Sequence, residues 1–532
     1  MKITRLNITL ILASILLFAP VAHAQFTQTE IQKLLASDRA PEDRFGWSVA
    51  IDGDTAVIGA SREDDSGTRL NGAAYVFTRS SGIWTQQAKL LASDKSDVDQ
   101  FGWSVAIHGD TVVIGAYGED DNGTEGNGAA YVFTRDADAW TQQAKLLASD
   151  KSSGDLFGFS VALEGNTAVI GAAFKNDSGS ADVGAVYMFE RSGDTWTQKA
   201  KLLATDKAER DYFGYSVALE GDTAVIGAPF KDDVGITERG AVYVFRRTTG
   251  TWAQHAKLLA SNTRSFQEFG ASVAIDDGTV VIGAPNNEAA YLFNLTGGTW
   301  TQQTTLLASD GEINEYFGQV VALDGDIAVI SAPSESSGVR RNGAAYVFLR
   351  TAGTWTQQAK LLASDKASED LFGLSVALDG DTAVIGAPTE NSGTRDNGAA
   401  YIFDIGQSEG GGAFVRALGD INDDGSQDIA ALLTSDGMLI AKVKDAETRQ
   451  LINTIEFSTS RSAVDLEVIP DSNGNGAPEL AALAAGSPVA EIRDSLTGEM
   501  LSTLDYDATT PLRLRRISDQ TANGIPELAM LG

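Results

Sequence analysis

The 532-residue chain has no cysteine, only three histidines and eleven prolines. Without cysteine there is no disulfide framework, no thiolate zinc site, no iron-sulfur cluster and no cysteine nucleophile. His108 and His255 are each an exception within a repeated segment and sit on different elements, so they do not make a shared nucleophile-base pair. Positive charge is also scarce: 40 Lys and Arg stand against 72 Asp and Glu, for a net charge of −32. Such a chain repels phosphate backbones, which excludes nucleic acid as a partner, and anionic lipid likewise. Hydrophobic residues still make up 43%, enough for a buried core, so the acidity is not that of a disordered chain. The 55 glycines against few prolines point to many tight turns.

Long apolar runs are missing beyond the N-terminus. Residues 1–24 carry Lys2 and Arg5, an apolar stretch from Ile8 to Phe18, and Ala22-His23-Ala24 ahead of Gln25. That order is the signature of a secretory signal peptide, with an apolar core too short for a membrane span. The expectation is a secreted, periplasmic or cell-surface associated protein with no membrane span after signal removal.

What the chain has in abundance is repetition. Phe-Gly recurs at Phe45, Phe101, Phe157, Phe213, Phe269, Phe317 and Phe372, at a nearly constant interval shortened only before Phe317. The first unit reads FGWSVAIDGDTAVIGA, an acidic loop, NGAAYVFTR, a short turn and WTQQAKLLASD. It holds four apolar stretches of strand length, the first two nearly continuous as in strands covered on both faces. Asp52-Gly53-Asp54 marks a tight hairpin between them. Repeating four-stranded units with no helical periodicity predict an all-β fold, a seven-bladed β-propeller. The Trp of the fourth strand occurs at 84, 140, 196, 252, 300 and 355, one copy fewer than Phe-Gly. Residues 31–38 (IQKLLASD) supply the missing copy, so an N-terminal strand is expected to complete the last blade and close the ring, leaving no open sheet edge.

Phe-Gly followed by Gly-Ala-Pro, as at Gly227-Ala228-Pro229, Gly283-Ala284-Pro285 and Gly386-Ala387-Pro388, resembles the FG-GAP repeat of the integrin α-subunit propeller and its bacterial relatives. Ser61, Tyr117 and Ala173 replace the Pro in three units, and Ser331 replaces the Gly in the sixth. The resemblance covers residues 30–405 and implies packing roles for the Phe-Gly and Gly-Ala-Pro residues. Propellers of this kind serve adhesion, glycan binding and occasionally catalysis. The calcium loop that the family often carries between the first two strands of a blade is replaced here by a hairpin too short to wrap a cation.

Because strands alternate in direction, the loop after the second strand and the connection to the next blade share one face. Both are long and acidic: Glu63-Asp64-Asp65, Glu119-Asp120-Asp121, Asp177 and Asp232-Asp233 in the first set, and Asp94, Asp97, Asp99, Asp150, Asp155, Asp206, Glu209 and Asp211 in the second. These charges either keep a repetitive β-protein soluble or face a protein or glycan ligand.

The chain divides into the signal (1–24), the propeller (25–405), a Gly-rich linker (406–413) and a second repeat (414–532), a partial array of four-stranded β repeats. There Asp420, Asn422, Asp424, Ser426 and Asp428 follow D-x-N-x-D-G-x-x-D, oxygen ligands spaced to encircle calcium, with the Ser426 carbonyl at position seven and Gly425 at the sharp turn. Asp471, Asn473, Asn475 and Glu479 form a weaker copy, and Asp519 to Glu527 a third. These loops resemble the calcium-bearing FG-GAP or VCBS type. About two and a half such units do not close a ring, which leaves truncation, docking on the first domain or completion by another chain as alternatives.

The reading is an exported, noncatalytic binding or adhesion protein. The alternatives are a carbohydrate-binding propeller, a polysaccharide-degrading component, or a structural envelope or matrix protein. Asp424→Ala is expected to shrink the rise in melting temperature produced by adding calcium; an unchanged calcium response counts against the assigned loop.

Overall fold

The computed structural model describes residues 25–26 and 29–408 apart from single positions 66, 122, 263, 352 and 392; between 414 and 531 it describes the backbone of strands alone. It separates into two compact units, Thr27–Gly406 and a second made of Met1–Phe26 with Gln407–Gly532.

Thr27–Gly406 is a ring of seven antiparallel four-stranded sheets. Blade 1 comprises Phe45–Asp52, Thr55–Ala60, Ala73–Ser80 and Ile83–Leu90, and the following units build blades 2 to 6 in the same order. Blade 7 takes Ser375–Asp379, Thr382–Ala387 and Ala399–Asp404 from the far end of the unit and Thr29–Leu34 from its start. Lys33 lies opposite Tyr401 in that seam, the register that pairs Lys89 with Tyr75 inside blade 1. The N-terminal strand therefore closes the ring as an ordinary fourth strand.

Two rings of hydrogen bonds join the blades. Near the axis, Ser48 Oγ donates to the Gly102 carbonyl and Ser104 Oγ to that of Gly158, both at 2.8 Å. Ser375 does the same to Gly46, joining blade 7 to blade 1. At the rim, the first Gln of each W-x-Q-Q accepts from a backbone N–H of the previous blade's exit loop, as Gln86 does from Ser37 at 2.9 Å. Glu30 takes this role for Ser364 on the N-terminal strand.

The axial contact explains the repeated glycines. Gly46 has φ +89°, and a Cβ there would lie 2.2 Å from the Ala399 carbonyl oxygen. At Gly59 a Cβ would meet the Gly102 oxygen at 2.1 Å and Ser48 Oγ at 2.3 Å, closer than any real contact. Blade 6 holds the exception, and it is compensated. Ser331 occupies the Gly59 position, and Val320 stands where the other blade has Ser48, removing the hydroxyl that would collide. The Ser331 hydroxyl then accepts the Val320 N–H at 3.0 Å.

The Phe of each Phe-Gly is buried and meets Tyr and Phe of the third strand edge-on, as Phe45 meets Tyr75 at 5.5 Å and Phe77 at 5.9 Å. One expectation is corrected. The second and third strands are covered on both faces, whereas the first is only partly buried. It is the innermost strand and faces the axis, so its apolar run packs against neighbouring first strands rather than between two full layers.

The shortened loop of blade 5 shows how a deletion is absorbed. In blade 1 the loop's backbone carbonyls receive the N–H groups entering the next blade, such as Leu70 O from Gln100 and Asn71 O from Phe101. Blade 5 has instead a single 3₁₀ turn, Pro285–Asn287, and then Glu288. The Glu288 carboxylate accepts the N–H groups of Glu315, Tyr316 and Phe317 at 3.0, 3.1 and 2.7 Å, taking over from the lost loop.

In the second unit, Phe414–Gly419, Asp428–Ser435, Met438–Asp445 and Leu451–Glu456 form one four-stranded sheet. Ala463–Ile469, Glu479–Ala484, Val489–Asp494 and Met500–Asp505 form another. Gln407–Ser408, inside the expected linker, pair with Gln25–Phe26.

Glu288→Ala leaves three backbone donors without their acceptor, and we expect it to cost roughly 2–4 kcal/mol. Chemical denaturation checks this against Glu42→Ala, an exposed control on the same face; equal stability of the two variants contradicts the role given to Glu288.

Candidate functional site

The long loops do share one face, and most of their acidic groups already have partners there. Lys89 on the outer strand of blade 1 reaches Asp38 at 2.7 Å and Glu63 at 2.6 Å, while the Tyr75 hydroxyl donates to the second oxygen of Asp38 at 2.8 Å. Lys33 repeats the arrangement with Asp365 (2.6 Å) and Glu390 (2.9 Å), and Lys360 with Asp310 and Glu335, both at 2.7 Å. In blades 3 and 4 a lysine replaces the glutamate and turns to another acid: Lys175 to Asp155 at 2.7 Å and Lys231 to Asp211 at 2.9 Å. Blade 5 loses both charges together, with Asn262 and Thr305 at the Asp and Lys positions and Asn262 accepting from Tyr291. Asp64 and Asp120 accept backbone N–H groups of Leu70 and Gly126, both at 2.6 Å. The acidic loops are thus held in shape by their own charges. On the opposite face Arg79 binds Asp54 at 2.6 Å and lies over Trp84.

Burial tunes these carboxyl groups in two directions. It pushes Asp43 and Asp99 up to about 6, with Glu63 and Glu119 adding repulsion and the backbone N–H groups of Ala40 and Ser96 only partly offsetting it. Asp38 and Asp365 are held below the usual carboxylate range: burial opposes this, but lysine and tyrosine hydrogen bonds prevail.

Against this regular background the same face carries one irregular feature. The residue after Phe-Gly is Trp47, Trp103, Phe159 and Tyr215 in blades 1 to 4, then Ala271, Gln319 and Leu374. The four rings follow one another around the axis, with centroids 4.7, 5.7 and 5.0 Å apart. Tyr117, Phe174, Tyr212 and Phe230 join them: Tyr117 packs on Trp103 at 4.4 Å, Tyr212 on Phe174 at 4.9 Å and on Phe230 at 5.1 Å. All eight are half-buried.

Local geometry presents these rings. The Tyr215 N–H donates to the Tyr212 carbonyl at 3.1 Å, closing a turn that buries Phe213 and leaves Tyr212 and Tyr215 lining a cavity of about 640 Å³. Tyr212 holds φ +52°, the left-handed conformation that the residue before Phe-Gly takes in all seven blades, so the turn that presents it belongs to the repeat. Phe174 and Phe230 sit in turns just beyond second strands, closed by the Lys175 N–H on Ala172 and the Lys231 N–H on Ala228.

Seven segments match the family model described as FG-GAP repeat: 28–77, 84–133, 140–189, 196–245, 252–293, 300–348 and 355–403. Together they span more than half of the chain. The chain belongs to the FG-GAP repeat family. A search of curated proteins finds no match. Each matched FG-GAP segment begins with an outer strand and runs into the first three strands of the next blade, so the sequence repeat is offset by one strand from the structural blade.

Of the sequence-predicted metal ligands, Asp420, Asn422, Asp424, Ser426, Asp471, Asn473 and Asn475 lie outside the described residues, as does the signal segment 1–24. Asp428 and Glu479 open strands of the second unit, paired with Gly419 and Ile469. Among the described residues no group of three or more acidic or histidine side chains is arranged to hold a metal ion, and no helix is long and apolar enough to cross a membrane. His108 lies in a hairpin of blade 2 and His255 on the outer strand of blade 4, both exposed. Sequence reasoning missed the aromatic cluster. Aligning the seven FG-GAP units and marking departures at the positions flanking Phe-Gly would have exposed it.

The raised groups give a pH dependence with a definite sign. Between the unfolded value near 3.8 and the folded value of about 6, Asp43 and Asp99 bind protons more tightly when folded. They therefore add stability as pH falls from 7 to 5, about 1 kcal/mol each, whereas the stability from Asp38 and Asp365 is lost only below the ordinary carboxylate range. We expect the melting temperature to rise over that interval and Asp43→Asn to remove part of the rise; a steady fall contradicts this.

Proposed function

We propose that this FG-GAP propeller is an exported, noncatalytic binding protein of the adhesion type that engages its ligand on the loop face of blades 1 to 4. Its second repeat binds calcium, and the signal segment directs export. The observation that carries the reading is the break in repetition. Core, blade junctions and charge networks recur from blade to blade, while half-buried aromatics cluster on one side of one face. Two exposed apolar side chains, Val98 and Val234, lie on loops of the same blades.

The test immobilises the mature chain and passes extracellular proteins and polysaccharides over it. Trp103→Ala on the loop face is expected to weaken capture, and Asp110→Ala on the turn face to leave it unchanged, with no turnover of any captured polymer. Turnover, or loss of capture only in the turn-face variant, contradicts the reading.

A further inference from the structure

Four rings from two neighbouring blades line the 640 Å³ cavity: Phe174 from blade 3, and Tyr212, Tyr215 and Phe230 from blade 4. Blade 4 alone has aromatics at all three of its positions. The places of Tyr212, Tyr215 and Phe230 are held by Gln100, Trp103 and Gly118 in blade 2, and by Glu268, Ala271 and Asn286 in blade 5. The rings stand steeply to one another, Phe174 and Tyr212 at 75°, Tyr212 and Phe230 at 68°, Tyr215 and Phe230 at 79°. They form walls rather than a collapsed stack, and the volume lies within the range of small-molecule sites.

The border of the cavity is charged. Glu209, Asp232 and Glu238 face one cation, Arg210, whose side chain is 73% exposed and only 4.0 Å from Glu209 at its nearest. A wholly apolar occupant would take these charges out of water with little to offset it beyond the Glu238 N–H on Asp232, a costly arrangement. A saccharide ring suits both parts: its C–H face packs on an aromatic ring, and its hydroxyls, spread around the ring edge, accept from a guanidinium and donate to carboxylates. The excess of carboxylates, on a chain of net charge −32, disfavours sugars bearing uronate or sulfate. From Tyr215 the aromatic track continues through Phe159 and Trp103 to Trp47, a path for further sugar units.

Building on the loop-face reading, we propose that the cavity between blades 3 and 4 binds the end of a neutral or amino-bearing oligosaccharide, whose next units lie along Phe159, Trp103 and Trp47.

The test titrates the full mature chain by calorimetry with cello-oligosaccharides, deacetylated chito-oligosaccharides and oligogalacturonate. Binding is expected for at least one of the first two and not for the third. Tyr212→Ala and Phe230→Ala should each weaken it roughly 10- to 100-fold, and Tyr212→Phe, which keeps the ring, should retain most of it. Arg210→Gln, at an exposed side chain, supplies a variant that does not threaten the fold and should weaken binding of the neutral cello-oligosaccharides, which lose a hydrogen-bond donor. Affinity for oligogalacturonate alone, or affinity indifferent to Tyr212→Ala and Arg210→Gln, overturns the proposal. Failure of every saccharide while loop-face capture of proteins persists overturns the saccharide class and leaves the loop-face reading standing. Binding lost only through Asp110→Ala overturns both.

Discussion

At the axis of the ring, backbone rests on backbone. At six of the seven junctions the carbonyl of the Phe-Gly glycine lies where a Cβ of the preceding blade's Gly-Ala would have to be, and most of the repeat follows from that approach. It requires glycine at both places, and it leaves room for one hydroxyl between blades, which five blades supply from the serine donating to the next Phe-Gly carbonyl. Blade 6 has its hydroxyl on the second strand instead, at Ser331. The Phe beside the glycine anchors each junction in the core. Ring closure adds no special device: the N-terminal strand takes the register of every other fourth strand, and a chain without cysteine gains a covalently continuous path around all but one seam.

The acidity of the chain acquires a structural meaning. Its repeated carboxylates hold lysines, tyrosines and backbone amides of the long loops, and where a blade changes one member it changes the partner too, as with Lys175 and Asp155 or Asn262 and Thr305. What stays irregular is the set of aromatics on blades 1 to 4. In a molecule this repetitive, packing gives no reason for Trp47 and Trp103 on one side of the axis and Ala271 and Gln319 on the other. A ligand that approaches from one side does.

Much of the fold was legible in the sequence. Phe-Gly spacing, the DGD hairpins and the Trp count reported blades, strand order and closure, because each reflects a local steric requirement that recurs in every unit. The partial exposure of the first strand was not legible, since an apolar run looks the same between two layers and against an axis. The acidic loops could be placed on one face but not seen as internally paired, because Lys89 meets Asp38 only through folding. The aromatic cavity was hidden for the same reason: Phe174 and Tyr212 belong to different units, each a single departure from its repeat, and only the turns around them bring the rings together.

The central claim is that the ligand sits where repetition fails. Hydrogen–deuterium exchange of the chain, with and without a bound ligand, tests it most directly. The account predicts slowed exchange in peptides covering 172–180, 208–216 and 228–240, with the hairpins at 52–55 and 108–111 unchanged. Protection on those hairpins, or spread evenly over all seven blades, would contradict it.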